Sequence, residues 1–368
     1  MTNTTTGAHG ATGAHTTTDA LTIGETMVMV TPRDGGRLDA ESSFVLRPGG
    51  AESNVAASLA GLGHTAHWAG ALGTDRLGDL VTTALGGHGV DTSLVRRDPG
   101  RPTAVYFKDP TPQGTQVVYY RTGSAATALS TADLPAWTAV RPRVVHLSGV
   151  LPVLSPSCAE LARHIVRERP WGDVPVSFDV NHRPVLWARA ADQEGTGAAG
   201  GGGDRTAGPA DPAGRAARTL LELAQGSDIV FVGRDEAAAL WGTTDAESVR
   251  ALVDRPRHLI VKDAAVEAVS FTRAPSGGSG TGPGPDSVAR VPSRRVRVVD
   301  PVGAGDAFAA GWLSGWLHGQ HETLSLKLGH YAAAQVLASA SDLAPLRETR
   351  QVLAALESEP DPAPPARN

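Results

Sequence analysis

The sequence predicts an α/β protein built on a mainly parallel sheet with helices on both faces. The main observation is a rhythm in which short β-branched apolar runs alternate with Ala-rich helical stretches, repeated from residue 21 to residue 317. A second observation is a break in that rhythm. Over 103–121 two polar–apolar runs, AVYFK and QVVYYR, flank a Pro/Gly turn with no helix between them, which predicts a small antiparallel flap standing off the main sheet.

In chain order, LTIGETMVMV over 21–30 reads as a buried strand and 32–36 as a turn. Residues 44–46 and the GGAESN segment at 49–54 lead into a short Ala-rich helix over 55–62. A strand at 67–72 and a helix at 75–86 follow. Beyond the flap, strands are predicted at 144–148, 174–179, 228–232, 258–262 and 296–299. Helices are predicted at 156–169, around 220–224, at 235–241 and at 307–317. The segments 192–214, which contains four consecutive glycines, and 274–287 have nothing apolar to bury and are expected to be flexible inserts. The ends, 1–19 and 357–368, read as disordered tails.

A chain of 368 residues with 41% hydrophobic residues has enough apolar surface for one large domain or two smaller ones. Its net charge of -5, with no dense Lys/Arg cluster, gives no footprint for nucleic acid. The single cysteine, Cys158, excludes an intrachain disulfide framework and a thiolate metal site, and is expected to be an ordinary packed thiol. No run approaches the roughly 20 apolar residues of a membrane helix. The first residues lack the charged start and apolar run of a secretory signal, so the expected compartment is the cytoplasm.

The chemistry concentrates at DPVGAGDAFAAGW, residues 300–312. Gly303-Ala304-Gly305 stands where a helix begins, so unpaired backbone N–H groups and the positive dipole end favour an anion there. The Walker Gly-Lys-Ser/Thr is absent. Asp306 has two readings. It is either a first-turn helix acid, or a general base that takes a hydroxyl proton as that oxygen attacks a γ-phosphoryl group.

The 300–311 segment resembles the C-terminal signature of the ribokinase-like carbohydrate kinases. GGAESNVAASLAGLG at 49–63 resembles their N-terminal signature, and GALGTDRLG at 70–78 the segment that follows it. The resemblance spans about 21–353 apart from the two inserts. It implies a single domain over 20–356 with an α/β/α sandwich, a mainly parallel central sheet and a small β-sheet lid from about 33–48 and 101–123. It also implies ATP with Mg²⁺, Asp306 as catalytic base, and Gly303, Ala304 and Gly305 around the transferring phosphoryl group.

Within the family, YYRTGSAA at 119–126, FDVNHRPVLW at 178–187 and IGETM at 23–27 resemble the 2-keto-3-deoxygluconate kinases. A sugar acid carries a carboxylate that an arginine can hold through a charge-assisted pair. By resemblance Arg121 and Arg183 bind substrate oxygens, Tyr106 and Tyr119 are lid contacts, and Gly50 and Asn54 hold substrate hydroxyls. Asn181, Lys262 and His330 fall on the nucleotide side, and Glu236 supports Mg²⁺ through water. Simpler readings stand beside these. Arg121 as a solvated strand end, Arg183 paired with Asp179 or touching ATP phosphate, Trp187 as packing and His330 as a satisfied histidine are all compatible with the residues, and Lys108 and Arg47 read as solvated.

Two departures from the family pattern bear on the nucleotide side: Gly233 replaces an asparagine, and the run Lys262-Asp-Ala-Ala-Val-Glu-Ala268 lacks both glycines of the family's Lys-x-Gly-x-x-Gly. The expected partners are a sugar acid and ATP, with no nucleic acid, no membrane, and a homodimer formed through the lid. A neutral-sugar (fructose, ribose) or nucleoside kinase, or a sugar sensor without turnover, are the alternatives.

Overall fold

A computed structural model describes residues 16–111, 114–197, 211–274, 286–339 and 341–358. Its larger sheet has nine strands among the described residues. Their order across the sheet is Ser287–Pro292, Glu267–Thr272, His258–Asp263, Ile229–Gly233, Val176–Asp179, Val140–Ser148, Thr16–Ile23, Ala66–Ala69 and Val90–Asp91. Neighbours run parallel except at one edge, where Glu267–Thr272 and Ser287–Pro292 are antiparallel.

Side-chain alternation along these strands makes the three layers. Val145, Leu147, Val230, Val232, Leu259 and Val261 point into one apolar core, shared with Leu161 and Ile165 of helix Pro156–Glu168. Val144, Ile229, Phe231 and Ile260 point into a second core on the opposite face, shared with Leu59 of helix Ala51–Gly61 and with Trp312 and Leu313 of helix Ala304–Leu317. The helix starts are written locally: Ser155 caps the Cys158 amide with Pro156 next to it, and Asp75 caps the Gly78 amide.

The second sheet is the lid. It orders Phe44–Gly49, Met27–Pro32, Val105–Thr111 and Gly114–Tyr120, with the last two forming the expected antiparallel hairpin. The run at 21–30 is therefore not one strand. Thr16–Ile23 belongs to the main sheet and Met27–Pro32 lies inside the lid. The chain changes sheets at Gly24, where a Cβ would sit 2.2 Å from the Glu52 carboxyl carbon, so only glycine clears the buried Glu52. Residues 67–72 divide in the same way, at Gly70, into Ala66–Ala69 and Ala71–Gly73.

Other expectations are corrected. Residues 296–299 form no strand; Arg297 interrupts the valines there, and Val298 and Val299 are more than half exposed. The two antiparallel edge strands flank the second insert, and Ser287 already belongs to one of them. Residues 16–19 are strand, 192–197 continue the helix Pro184–Gly197, 212–214 begin the helix Pro212–Gly226, and 357–358 close the helix Thr349–Ser358. The remainder of the inserts and tails, 1–15, 198–210, 275–285 and 359–368, lies outside the described residues. Cys158 is fully buried beside the Ala126 carbonyl, and burial pushes its thiol up to about 11. Trp187 packs in the first core.

Gly24→Ala should be strongly destabilising, because Glu52 is fully enclosed and cannot yield to the added methyl. We expect about 1–3 kcal/mol or more off the unfolding free energy, measured by denaturant titration. An unchanged midpoint would mean that the crossing is looser than described.

Candidate active site

All the parallel strands present their carboxyl ends to one side, and the strand order reverses between Thr16–Ile23 and Val140–Ser148. Such a switch point leaves a crevice above the sheet. Here a cavity of about 610 Å³ opens there, roofed by the lid. Gly303, Gly305, Asp306, Gly50, Asn54, Tyr106, Tyr119, Arg121, Asn181, Arg183, Glu236 and Lys262 all line it.

Asp306 sits in the first turn of helix Ala304–Leu317. One carboxylate oxygen accepts from Asn54 Nδ2 at 2.9 Å, and the other lies 3.5 Å from Asn181 Nδ2. Burial pushes this carboxyl up to about 7, and neighbouring Asp179 adds to that; the Asn54 hydrogen bond, Arg183 and Lys262 oppose it. Gly303, at φ 82°, caps the helix in the left-handed region, where a Cβ would stand 2.6 Å from the Asp342 carbonyl oxygen. Only glycine allows this backbone, and it opens a helix whose first-turn N–H groups suit an anion.

The part of the cavity lined by Lys262 and Glu236 rests on linked charges. Lys262 donates to Asp179 at 2.8 Å. Burial works against its ammonium, yet Asp179 and Glu236 hold its pKa above that of an ordinary lysine. Glu236 accepts from the His182 amide at 2.6 Å and the Gly233 amide at 2.9 Å, so it also fixes the turn bearing Asn181 and Arg183. Arg183 does not take up Asp179, which is bound to Lys262; it is exposed, lines the same cavity as Asp306 and favours that carboxylate's charged form, without an ion pair among the described residues.

Three placements differ from the expectations. His330 does not reach the cavity: it is buried, its Nε2 lies 3.0 Å from the Val291 carbonyl oxygen, and its ring packs edge-on against Phe308. Arg121 is not a solvated strand end, because it forms an ion pair with the buried Glu25. Lys108 is not solvated either; it belongs to a lid strand, but its ammonium is buried and pairs with Asp300 and Asp342 of the body.

Sequence reasoning gave no role to Glu25, Glu52, Asp300 or Asp342. Glu25 was visible as the acid following an apolar strand in IGETM. Glu52 lies within GGAESN, where one oxygen accepts from the Ser148 amide and hydroxyl and the other has no hydrogen-bond partner among the described residues. Burial pushes Glu52 up to about 7.

This architecture, with a helix N-terminus and a buried carboxylate at the switch point under a β lid, defines a phosphotransferase of the carbohydrate kinase class. Comparison with known proteins agrees. The chain belongs to the pfkB family of carbohydrate kinases, whose pattern it matches over residues 17–199 and 202–349. It is 31% identical to a 2-dehydro-3-deoxygluconokinase of Bacillus subtilis (strain 168), covering 92% of this chain and 95% of that one. A 2-dehydro-3-deoxygalactonokinase of Haloferax volcanii is 29% identical, covering 89% and 93%. Among solved structures, a PfkB protein from Polaromonas sp. JS666 superposes with a TM-score of 0.72 at 29% identity, covering 92% and 99%. No helix among the described residues is long and apolar enough to cross a membrane.

Kinases of this family use ATP with Mg²⁺. The residues present fit them. The Gly303 cradle and the Lys262 ammonium, which approaches Gly305, suit a polyphosphate. Among the described residues no cluster of three acids or histidines could hold a metal alone, which suits an ion carried largely by phosphate and water.

The raised carboxyl of Asp306 can be tested without substrate. In the unfolded chain it ionises near 3.8, in the folded chain near 7, so the fold retains a proton between those values and loses stability as pH rises through them. Asp306→Asn lacks this loss. Its stability relative to the wild type should climb by on the order of 2–3 kcal/mol from pH 5 to pH 8, read from paired denaturation curves. A pH-independent difference would contradict the raised pKa.

Proposed function

We propose that this kinase transfers the γ-phosphoryl group of ATP to a primary hydroxyl of a sugar acid, most specifically 2-keto-3-deoxygluconate. The observation that carries the reading is the juxtaposition of Asp306 with the guanidinium of Arg183 in one lidded cavity. A neutral sugar needs the base and the anion loop but leaves such a cation unmatched. A sugar acid matches it. The names of the two curated relatives, both kinases of deoxy sugar acids, support the same reading.

In this reading Asn54 orients the Asp306 carboxylate through Oδ2. Asp306 accepts the hydroxyl proton as the oxygen attacks, and a pKa near 7 suits a base working near neutrality. The amides of 303–305 and the helix N-terminus stabilise charge on the transferring group, aided by Lys262. Bound MgATP supplies the phosphoryl group and neutralises part of its charge. Glu236 holds the two backbone amides described above and would support the metal through its water shell. Tyr106 and Tyr119 line the lid side and exclude water.

The two departures on the nucleotide side are compatible with turnover. Ala264 adopts φ 34°, the left-handed region that glycine would enter freely, so the backbone keeps that path at a cost of about 1–2 kcal/mol. Gly233 caps helix Arg234–Trp241, and its amide is held by Glu236.

The outer face of the lid supports a homodimer. Leu46, Val118 and Tyr120 are exposed there, Tyr120 at 66%, while Val117 and Tyr119 of the same strand turn inward. Light scattering should give twice the chain mass, and Tyr120→Glu should shift the protein toward the monomer. A monomeric wild type would end the assignment.

Activity assays test the rest. Asp306→Asn should fold and lose about 10²-fold or more in kcat. Arg183→Leu should lower kcat/KM for 2-keto-3-deoxygluconate by about 10²-fold while changing that for fructose or ribose far less. Wild-type preference for a neutral sugar would reject the sugar-acid reading, and binding without ATP turnover would make the protein a sensor.

A further inference from the structure

Lys108 belongs to the lid strand Val105–Thr111, yet its ammonium is buried in the body, with 5% of its side chain exposed. It lies 2.8 Å from Asp342 Oδ1 and 3.0 Å from Asp300 Oδ2. Tyr106, two residues earlier on the same strand face, donates its hydroxyl to the other Asp342 oxygen at 3.2 Å. Both acids shape the anion loop. The second oxygen of Asp300 accepts from the Val302 amide at 2.9 Å. The Asp342 backbone closes against Gly303 so tightly that a Cβ there would stand 2.6 Å from its carbonyl oxygen. Thus one lid side chain grips the two residues that brace the loop from either side.

We propose that Lys108 is a positioning residue that couples closure of the lid to the shape of the anion loop. This rests on the assignment of that loop to the phosphoryl group. Two carboxylates beside an anion site repel the incoming phosphate, and they also repel each other. The Lys108 ammonium offsets one charge and ties both, so the loop takes its working shape only when the lid strand lies against the body. Withdrawing the lid removes the cation and leaves two acids facing the loop. Phosphoryl transfer is thereby confined to the closed state, in which water is excluded.

The test begins with hydrogen exchange on the full chain without ligands. Lys108→Met should speed exchange at the amides of 302–306 by about tenfold or more, while strand Val140–Ser148 keeps its protection. With MgATP and 2-keto-3-deoxygluconate, the variant should lose about 10–100-fold in kcat, keep the sugar KM within about threefold, and release ADP in excess of phosphosugar. Lys108→Met/Asp342→Asn removes one stranded carboxylate and serves where the single variant folds poorly; it should show the same excess of ADP. Wild-type exchange at 302–306, or wild-type kcat with one phosphosugar per ADP in either variant, would overturn the proposal. If the wild-type protein phosphorylates no sugar acid, the substrate reading fails by itself, and the exchange experiment still decides the coupling.

Discussion

The structure depends on keeping a carboxylate out of water at the start of a helix. As the base proposed above, Asp306 must be desolvated enough to hold a proton near neutrality and still able to lose it. Its surroundings supply both conditions. The sheet and lid bury it, Asp179 disfavours its charge, and Asn54, Arg183 and Lys262 restore part of what burial takes away. Much of the cavity wall serves that balance directly or through a neighbour: Glu236 holds the turn with Asn181 and Arg183, and Lys262 neutralises Asp179. Such a balance needs residues from strand ends far apart in sequence, which a parallel sheet with a switch point gathers on one edge.

A second consequence of burial is that acids beneath the cavity interact. Glu52 is raised by desolvation and, more weakly, by the charge of Asp306, although Glu52 does not line the cleft. Its partners, the Ser148 amide and hydroxyl, join the first signature segment to the end of the neighbouring main-sheet strand. A buried acid of this kind is kept in place by its hydrogen bonds and by the glycine that makes room for it.

Much of the sheet could be read in the sequence because period-2 and helical patterns are local. The core strands at 144–148, 228–232 and 258–262 emerge near their expected places. What the sequence hid was non-local. Nothing local in LTIGETMVMV says that its two halves join different sheets, because both halves are apolar and the cause, Glu52, lies further along the chain. The run at 296–299 has β-branched residues but no neighbouring strand to pair with. The site was legible where motifs cluster, around 303–306 and 50–54. It was illegible where partners are distant: Lys108 shares a strand face with Tyr106, but Asp342 lies 234 residues away. His330 looked like a polar residue near the nucleotide, but its ring nitrogen is committed to a backbone carbonyl.

The passage of the chain from Thr16–Ile23 straight into Met27–Pro32 gives the lid an unusual mounting. A roof hung on two long loops can swing freely. This one is a cantilever, because an interior strand of the body runs on, across residues 24–26, into an interior strand of the roof. Glu25 and Thr26 at the root of the beam are both buried, at 2% and 1% exposure, so bending there disturbs packed side chains. One of those side chains, Glu25, grips Arg121, which follows the last lid strand at the base of the hairpin. The two ends of the lid that meet the body, 24–26 and Arg121, are thus tied by an ion pair beside the cavity, and any molecule that competes for Arg121 loads the beam at its root.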